Sequence, residues 1–185
     1  EYRENYLHNS FDYQGGNGYG VDLGWQVTDA LVENNVMRHL RHAMLVSKGA
    51  CGNVFGYNLS YDRVQGAGET NLNIGYMLSD VVLHGHYAQF NLFEGNQVEQ
   101  IVPGDYWGPC PGNTFLRNRI LDRGIKICDH SHNQNVIGNN LVPQDCSLLI
   151  VPGPTKAFSD QELEKIDQYL NEGGRLFALF NVASV

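Results

Sequence analysis

Nowhere in the 185 residues does an apolar run approach the roughly 18 residues that a membrane-spanning helix requires, so no membrane span is expected. Positive charge is scarce: 12 Lys and Arg stand against 20 Asp and Glu, for a net charge of −8. Nine basic against 14 acidic residues precede position 143, and three against six follow it. Neither part offers the basic surface that nucleic acid requires, and no nucleic-acid partner is expected. The four cysteines, Cys51, Cys110, Cys128 and Cys146, lack the paired spacing of a zinc site. They allow three disulfide connectivities, and buried or free thiols are the expectation. Glu1-Tyr2-Arg3 opens without a signal-peptide pattern. Convincing helical periodicity is missing before residue 143.

What that region has instead is asparagine: 17 of the 19 fall before residue 143, where glycine is also dense. They recur in a pattern, Asn-x-apolar-x-x-Asn. It reads Asn53-Val-Phe-Gly-Tyr-Asn58, Asn91-Leu-Phe-Glu-Gly-Asn96, Asn113-Thr-Phe-Leu-Arg-Asn118 and Asn135-Val-Ile-Gly-Asn-Asn140. Ala30-Leu-Val-Glu-Asn-Asn35 and Glu4-Asn-Tyr-Leu-His-Asn9 keep the second half. The closing asparagines at 9, 35, 58, 96, 118 and 140 step by 26, 23, 38, 22 and 22 residues.

A turn of that length accommodates three short strands and their bends, with equivalent residues about 4.8 Å apart in successive turns. An Asn at a bend tolerates left-handed backbone angles and, stacked, bonds the identical amide above and below. The apolar residue three positions earlier, Tyr6, Val32, Phe55, Phe93, Phe115 or Ile137, is expected to point inward as a column. A second strand aligns Ala43-Met-Leu-Val-Ser, Val81-Val-Leu-His-Gly and Ile125-Lys-Ile-Cys-Asp, with Leu45, Leu83 and Ile127 inward by alternation. The 38-residue step carries an insertion of roughly fifteen residues between Asp62 and Asp80. The fold class expected for residues 1–142 is therefore mainly β, a parallel β-helix or solenoid.

From Pro143 the character changes to a βαβ element over 143–185. Ser147-Leu-Leu-Ile-Val-Pro-Gly-Pro reads as a strand and Ser159-Asp-Gln-Glu162 as a capping box. Leu163, Ile166 and Leu170 form the helix's apolar stripe, Gly173-Gly174 ends it, and Arg175–Phe180 returns as a strand. Such a unit is too small to stand alone and must pack on the solenoid or on another chain, or be part of a domain. Gly153-Pro-Thr lacks the Gly-Lys-Ser/Thr ending of a phosphate loop, so no nucleotide site is expected there.

The run His39-Leu-Arg-His-Ala-Met-Leu-Val-Ser-Lys-Gly-Ala-Cys-Gly-Asn-Val-Phe-Gly-Tyr-Asn58, with Asp80–Tyr87 and Asn91–Asn96, resembles secreted bacterial right-handed, single-stranded parallel β-helix proteins of the pectin-lyase-like superfamily. The resemblance covers about three quarters of the chain. It implies a secreted or cell-surface protein, within a superfamily of lyases, hydrolases, phage tailspikes and non-catalytic surface proteins. Residues 146–181 resemble a βαβ piece of a gliding-motility or ABC-transporter auxiliary protein.

Counting back from the closing asparagines places Lys48, His84, His86 and His130 on one exposed patch, with Asp129 adjacent in sequence. Histidines with a lysine and a carboxylate fit acid–base catalysis on a polysaccharide, as in β-elimination or glycoside hydrolysis. The blander alternative is scattered polar residues on a solvated face. His84 and His86, two apart on a strand, would pair as metal ligands, but no metal is expected, and Asp80, Glu94 and Glu99 form no evident calcium cluster. No cofactor is identified. Arg41 and His42, with His39, are candidate contacts to an acidic sugar, the alternative being a solvated bend with satisfied imidazoles, and Tyr106 and Trp107 are candidate stacking platforms or, equally, the cap of a loop over the solenoid edge. The Asn58-Leu-Ser sequon coincides with the repeat and is read as accidental. Two functions follow: a carbohydrate-active domain with polysaccharide as partner, or a structural or adhesive solenoid that self-associates end to end through open strand edges.

Overall fold

The computed structural model describes residues 1–14, 16–64, 79–128, 130–140, 149–152, 160–171 and 176–179. Its strands follow the chain turn by turn. The first turn is β1 (Tyr2–Arg3), β2 (Tyr6–His8) and β3 (Tyr19–Leu23), and the second is β4 (Leu31–Glu33), β5 (Val36–Arg38) and β6 (His42–Ser47). The third is β7 (Val54–Gly56), β8 (Leu59–Tyr61) and β9 (Val81–His84). In the next two turns the second and third strands merge: β10 (Leu92–Glu94) leads into β11 (Gln97–Pro103), and β12 (Thr114–Leu116) into β13 (Arg119–Ile125). β14 (Asn135–Ile137) begins the last. Every pairing between these strands is parallel, and one sheet runs β1-β4-β7-β10-β12-β14 in order. The protein is mainly β, built of parallel strands stacked turn over turn.

The register explains the core. Val32 pairs with Phe55, Phe55 with Phe93, Phe93 with Phe115 and Phe115 with Val136, all buried. The three phenylalanine rings stack with centroids 4.9 and 5.3 Å apart, close to the strand spacing that imposes the stack. At the two ends the column differs from the sequence reading. Tyr2, not Tyr6, pairs with Val32, and Val136, not Ile137, pairs with Phe115.

Two amide ladders flank this column. In one, Nδ2 of Asn5, Asn35, Asn58, Asn96 and Asn118 each donates to Oδ1 of the next member at 2.9–3.0 Å, ending on Asn139. The backbone N–H of each donor residue bonds the same oxygen. Nδ2 also reaches back to a main-chain carbonyl of the preceding turn, as from Asn96 to Phe55 at 2.8 Å. The second ladder runs Asn53, Asn91 and Asn113 to Gln134. Only a carboxamide supplies one acceptor and two donors in this arrangement, which is why the repeat demands Asn.

Asn9, Asn135 and Asn140 are not ladder members; Asn5, Gln134 and Asn139 take their places, a one-residue slip in the last turn. Nor do the ladder asparagines adopt the left-handed backbone expected of them. That conformation falls on the residue before each: Glu4, Asn34, Tyr57, Gly95, Arg117 and Gly138, with φ between 53° and 63°. Leu45 is also displaced: Met44 pairs with Val81 and Leu45 with Val82, so Met44, Val46 and Leu83 belong to the core cluster while Leu45 lies on the opposite strand face.

The tail continues the fold. β15 (Leu149–Pro152) pairs in parallel with β14, β16 (Leu176–Leu179) pairs with β15, and helix α1 (Asp160–Asn171) connects them. Tyr169 is buried in the core cluster and Ile166 packs against it. Leu163 and Leu170 are exposed, so the buried stripe of α1 is centred on Ile166 and Tyr169. The end expected to be open is thus extended by β15. Most of the insertion, Asp129, Cys146, Gly153-Pro-Thr, Ser159 of the capping box and Gly173-Gly174 lie outside the described residues.

Candidate functional site

On one side of the stack, short loops join the face made of β3, β6, β9 and the end of β11 to the face made of β4, β7, β10 and β12. These loops rise in register. The N–H of Gln26 donates to the Lys48 carbonyl at 3.0 Å, that of His86 to Trp107 at 3.2 Å, and that of Tyr87 to Pro109 at 3.0 Å. Gly85 is required by the close approach: a Cβ there would lie 2.3 Å from the Trp107 carbonyl carbon, and its φ is +43°. The result is a ridge running turn over turn, carrying Trp25, Lys48, His86, Tyr87, Tyr106, Trp107 and His130.

The ridge is rich in exposed aromatic surface. Trp25 is 80%, Tyr87 59%, Tyr106 61% and Trp107 53% exposed. Tyr106 and Trp107 meet edge to face with centroids 4.8 Å apart, which fixes both rings' orientation. Lys48 Nζ lies 4.2 Å from the centre of the Trp25 ring, a cation–π contact. His130 Nδ1 is 3.0 Å from Asp105 Oδ2, and its backbone N–H donates to the same oxygen.

Three of the four expected acid–base residues, Lys48, His86 and His130, therefore share this ridge, as do Tyr106 and Trp107. The fourth does not. His84, at the end of β9 and opposite Ser47 of β6, is half-buried, and its ring meets that of fully buried His42 at a centroid distance of 5.6 Å. His84 and His86 do not pair as metal ligands, because β9 ends at His84 and His86 sits in a left-handed turn with φ +52°. Arg41 and His42, expected to hold an acidic sugar, are 1% and 0% exposed. Arg41 is bound instead inside the stack, its Nη1 donating to Tyr19 Oη at 3.4 Å. Among the described residues no group of three or more His, Cys, Asp or Glu is placed to hold a metal ion.

Burial sets the ionisation of this interior. It holds His42 neutral, its pKa lowered to about 3, and His84 likewise, lowered to about 4; the positive charge of Arg41 adds to both shifts. Asp80 entered the sequence reading only as a rejected calcium ligand. It is fully buried, and its carboxyl accepts the N–H groups of Glu99 and Gln100 at 2.8 and 2.7 Å, where the β11–β13 register shifts. Burial raises its pKa to about 6 against those hydrogen bonds. Cys51, Cys110 and Cys128 form no disulfide, and burial pushes the Cys110 thiol up to about 12, so it is inert. Trp25 also escaped the sequence reading, since a lone Trp in a glycine-containing stretch carries no motif.

No helix among the described residues is long and apolar enough to cross a membrane. No curated protein and no solved structure matches the chain. Residues 133–185, from the turn before β14 onward, are similar to a family described as an ABC-type uncharacterized transport system.

Proposed function

We propose that the stacked region is a right-handed parallel β-helix of the pectin-lyase-like kind, secreted or displayed at the cell surface, and that it binds an uncharged polysaccharide along the loop ridge. The observation that carries this reading is the set of exposed rings on one line of loops, Trp25 on the first turn, Tyr87 on the third and Tyr106 and Trp107 on the fourth. Sugar rings present apolar faces and hydroxyl rims, and aromatic platforms flanked by polar groups suit both.

Charge argues for a neutral ligand. The chain carries −8 overall, which repels polyanions at long range. The ridge's basic side chains are engaged already, Lys48 on the Trp25 ring and His130 in a hydrogen bond with Asp105, while Arg41 is buried.

Binding is favoured over turnover. None of Lys48, His84, His86 and His130 forms a hydrogen bond or ion pair with another of the four, and His84 is held against His42 away from the ridge. End-to-end assembly through the β14 edge is disfavoured, because β14 already pairs with β15 and Tyr169 belongs to the core cluster, whereas β1, β2 and β3 still end their sheets at the other end. Affinity electrophoresis through neutral and acidic glycans tests the proposal. Retardation by a neutral glycan that is insensitive to salt, and lost in Trp107→Ala and Trp25→Ala variants of unchanged stability, is expected. Equal retardation of the variants, or none by any glycan, would refute it.

A further inference from the structure

Just before each strand of the β4-β7-β10-β12-β14 sheet the chain bends through left-handed backbone. Leu31, Val54, Leu92, Thr114 and Asn135 pair in register, and the bridges joining Thr28, Cys51 and Gln89 keep that register into the bend. Asp29, Gly52, Phe90, Gly112 and Asn133, each two places before its strand residue, therefore stack turn over turn, with φ of 57°, 68°, 55°, 71° and 58°. Asp, Gly and Asn tolerate this conformation. Phe90 is the exception: a bulky residue in backbone that is costly for it, and 67% exposed. Neither backbone preference nor burial accounts for a ring there, and strain that packing does not reward gathers at binding positions. The neighbouring turns leave the ring room. A Cβ on Gly112 would lie 2.8 Å from Cε1 and 3.0 Å from Cδ1 of Phe90, so the ring rests over bare backbone of the next turn, while a Cβ on Gly52 would meet nothing within 4 Å. Beyond the two glycines the column ends in Asp29 and Asn133, both exposed. Neither side chain has a hydrogen-bond partner among the described residues.

We propose that Phe90, Asp29 and Asn133 form a subsite for one pyranose ring of an uncharged glycan, which stacks on the open side of the Phe90 ring and places its hydroxyls between the carboxylate and the carboxamide. Asp29 and Asn133 each stand two strand spacings, about 10 Å, from Phe90 along the column, a span that a sugar ring and a side chain fill together. The apolar face of a sugar matches the phenyl ring. Its hydroxyl rim matches the two ends, since a carboxylate accepts from O–H donors and a carboxamide both accepts and donates. The column contains no cation, and the charge of Asp29 repels a uronate, so an acidic sugar finds no partner. Phe90 lies three residues beyond Tyr87 at the inner end of the same loops. The subsite thus rests on the reading of the ridge as a glycan-binding surface and adds a second row to it.

The test is NMR titration of the whole chain, its phenylalanines 13C-labelled, with the uncharged disaccharides cellobiose, maltose, xylobiose and mannobiose and with digalacturonate. The Phe90 ring signal is assigned by its absence from Phe90→Gly. A saturable shift of that signal with at least one uncharged disaccharide, and none with digalacturonate, is expected. Phe90→Gly should weaken binding about tenfold, read by saturation transfer to the sugar, without lowering the melting temperature, because it relieves backbone strain. Asp29→Asn, which keeps a residue tolerant of the bend, should weaken binding several-fold. Trp107→Ala reads the ridge by itself: retardation by the polymer should fall while the disaccharide still shifts Phe90, so the ridge and the subsite can fail separately. No shift at Phe90 with any uncharged disaccharide, or a preference for digalacturonate, would overturn the assignment. So would unchanged binding by Phe90→Gly with a lowered melting temperature, which would make the ring a cover for Gly112, as Tyr57 is for Gly95.

Discussion

The side-chain amide of Asn58 donates to Oδ1 of Asn96 across 2.9 Å, over a sequence separation of 38 residues, and both residues are 1% exposed. The backbone N–H of Asn58 bonds the same oxygen at 3.0 Å. One oxygen atom therefore satisfies two buried donors of the turn beneath it, and each turn's position is tied to the next.

Removing a middle rung should be costly and removing an end rung cheap. Asn96→Ala leaves two donors of Asn58 without their acceptor and removes one of the two donors to Asn118 Oδ1, which keeps the backbone N–H of residue 96, at about 1–3 kcal/mol for each orphaned buried group. A total of several kcal/mol is expected from urea unfolding. Asn139→Ala, at the part-buried end of the ladder, should cost less than half as much. Equal costs would mean that the ladder does not act as a continuous column.

Gly95 is needed for two separable reasons. Its φ is +63°, and a Cβ would lie 2.6 Å from Cε1 of the Tyr57 ring one turn away. Left-handed backbone costs an L-residue about 1–2 kcal/mol, so Gly95→Ala should destabilise by at least that much. In a Tyr57→Ala background the clash disappears and the strain stays. A double-mutant cycle should show a smaller, nonzero cost for Gly95→Ala there; strict additivity would remove the ring from the explanation.

Acid should weaken the protein. His42 and His84 have pKa values lowered to about 3 and about 4, while in the unfolded chain a histidine protonates near 6.5. Below that value the unfolded state binds two protons that the native state refuses. Asp80 acts oppositely: its native pKa of about 6 lies above the ordinary aspartate value of 3.8, so the native state holds a proton the unfolded state has released. Between about pH 4 and 6 these three groups leave a net uptake of one proton on unfolding, and stability should fall by roughly 1.4 kcal/mol per unit as pH drops. His42→Gln should flatten that slope and Asp80→Asn should steepen it, measured by urea unfolding at pH 4.5, 5 and 6. Stability rising toward acid in the parent would contradict the assignment.

Tyr169 links tail and stack. Tyr169→Ala removes an aromatic side chain from the core cluster and should cost about 3–5 kcal/mol in a single cooperative transition. Two transitions, with only the lesser one shifted, would show that the tail unfolds independently.

Most of the architecture was legible in the sequence because the ladder constrains residue identity: a position that must accept once and donate twice in the interior reads as Asn. Its ends were not. Asn139 and Asn140 are adjacent, and only the backbone register shows which of them reaches Asn118. The site was harder, since counting along the chain assumes loops of equal length. Ser47 lies 11 residues before Asn58, whereas its strand partner His84 lies 12 before Asn96. That one-residue difference put His84 on the wrong footing. The burial of Arg41 and His42 depends on packing between turns, which no local pattern encodes, whereas Tyr106 and Trp107 are exposed.

Amide hydrogen exchange followed by NMR reads the ladder most directly, because the backbone N–H groups of Asn35, Asn58, Asn91 and Asn96 bond side-chain oxygens of the next turn. These four amides are expected to exchange only through global unfolding, with protection equal to that of the β10 and β12 core amides. Rapid exchange at Asn58 and Asn96 while those strands stay protected would contradict a structure held together by stacked carboxamides.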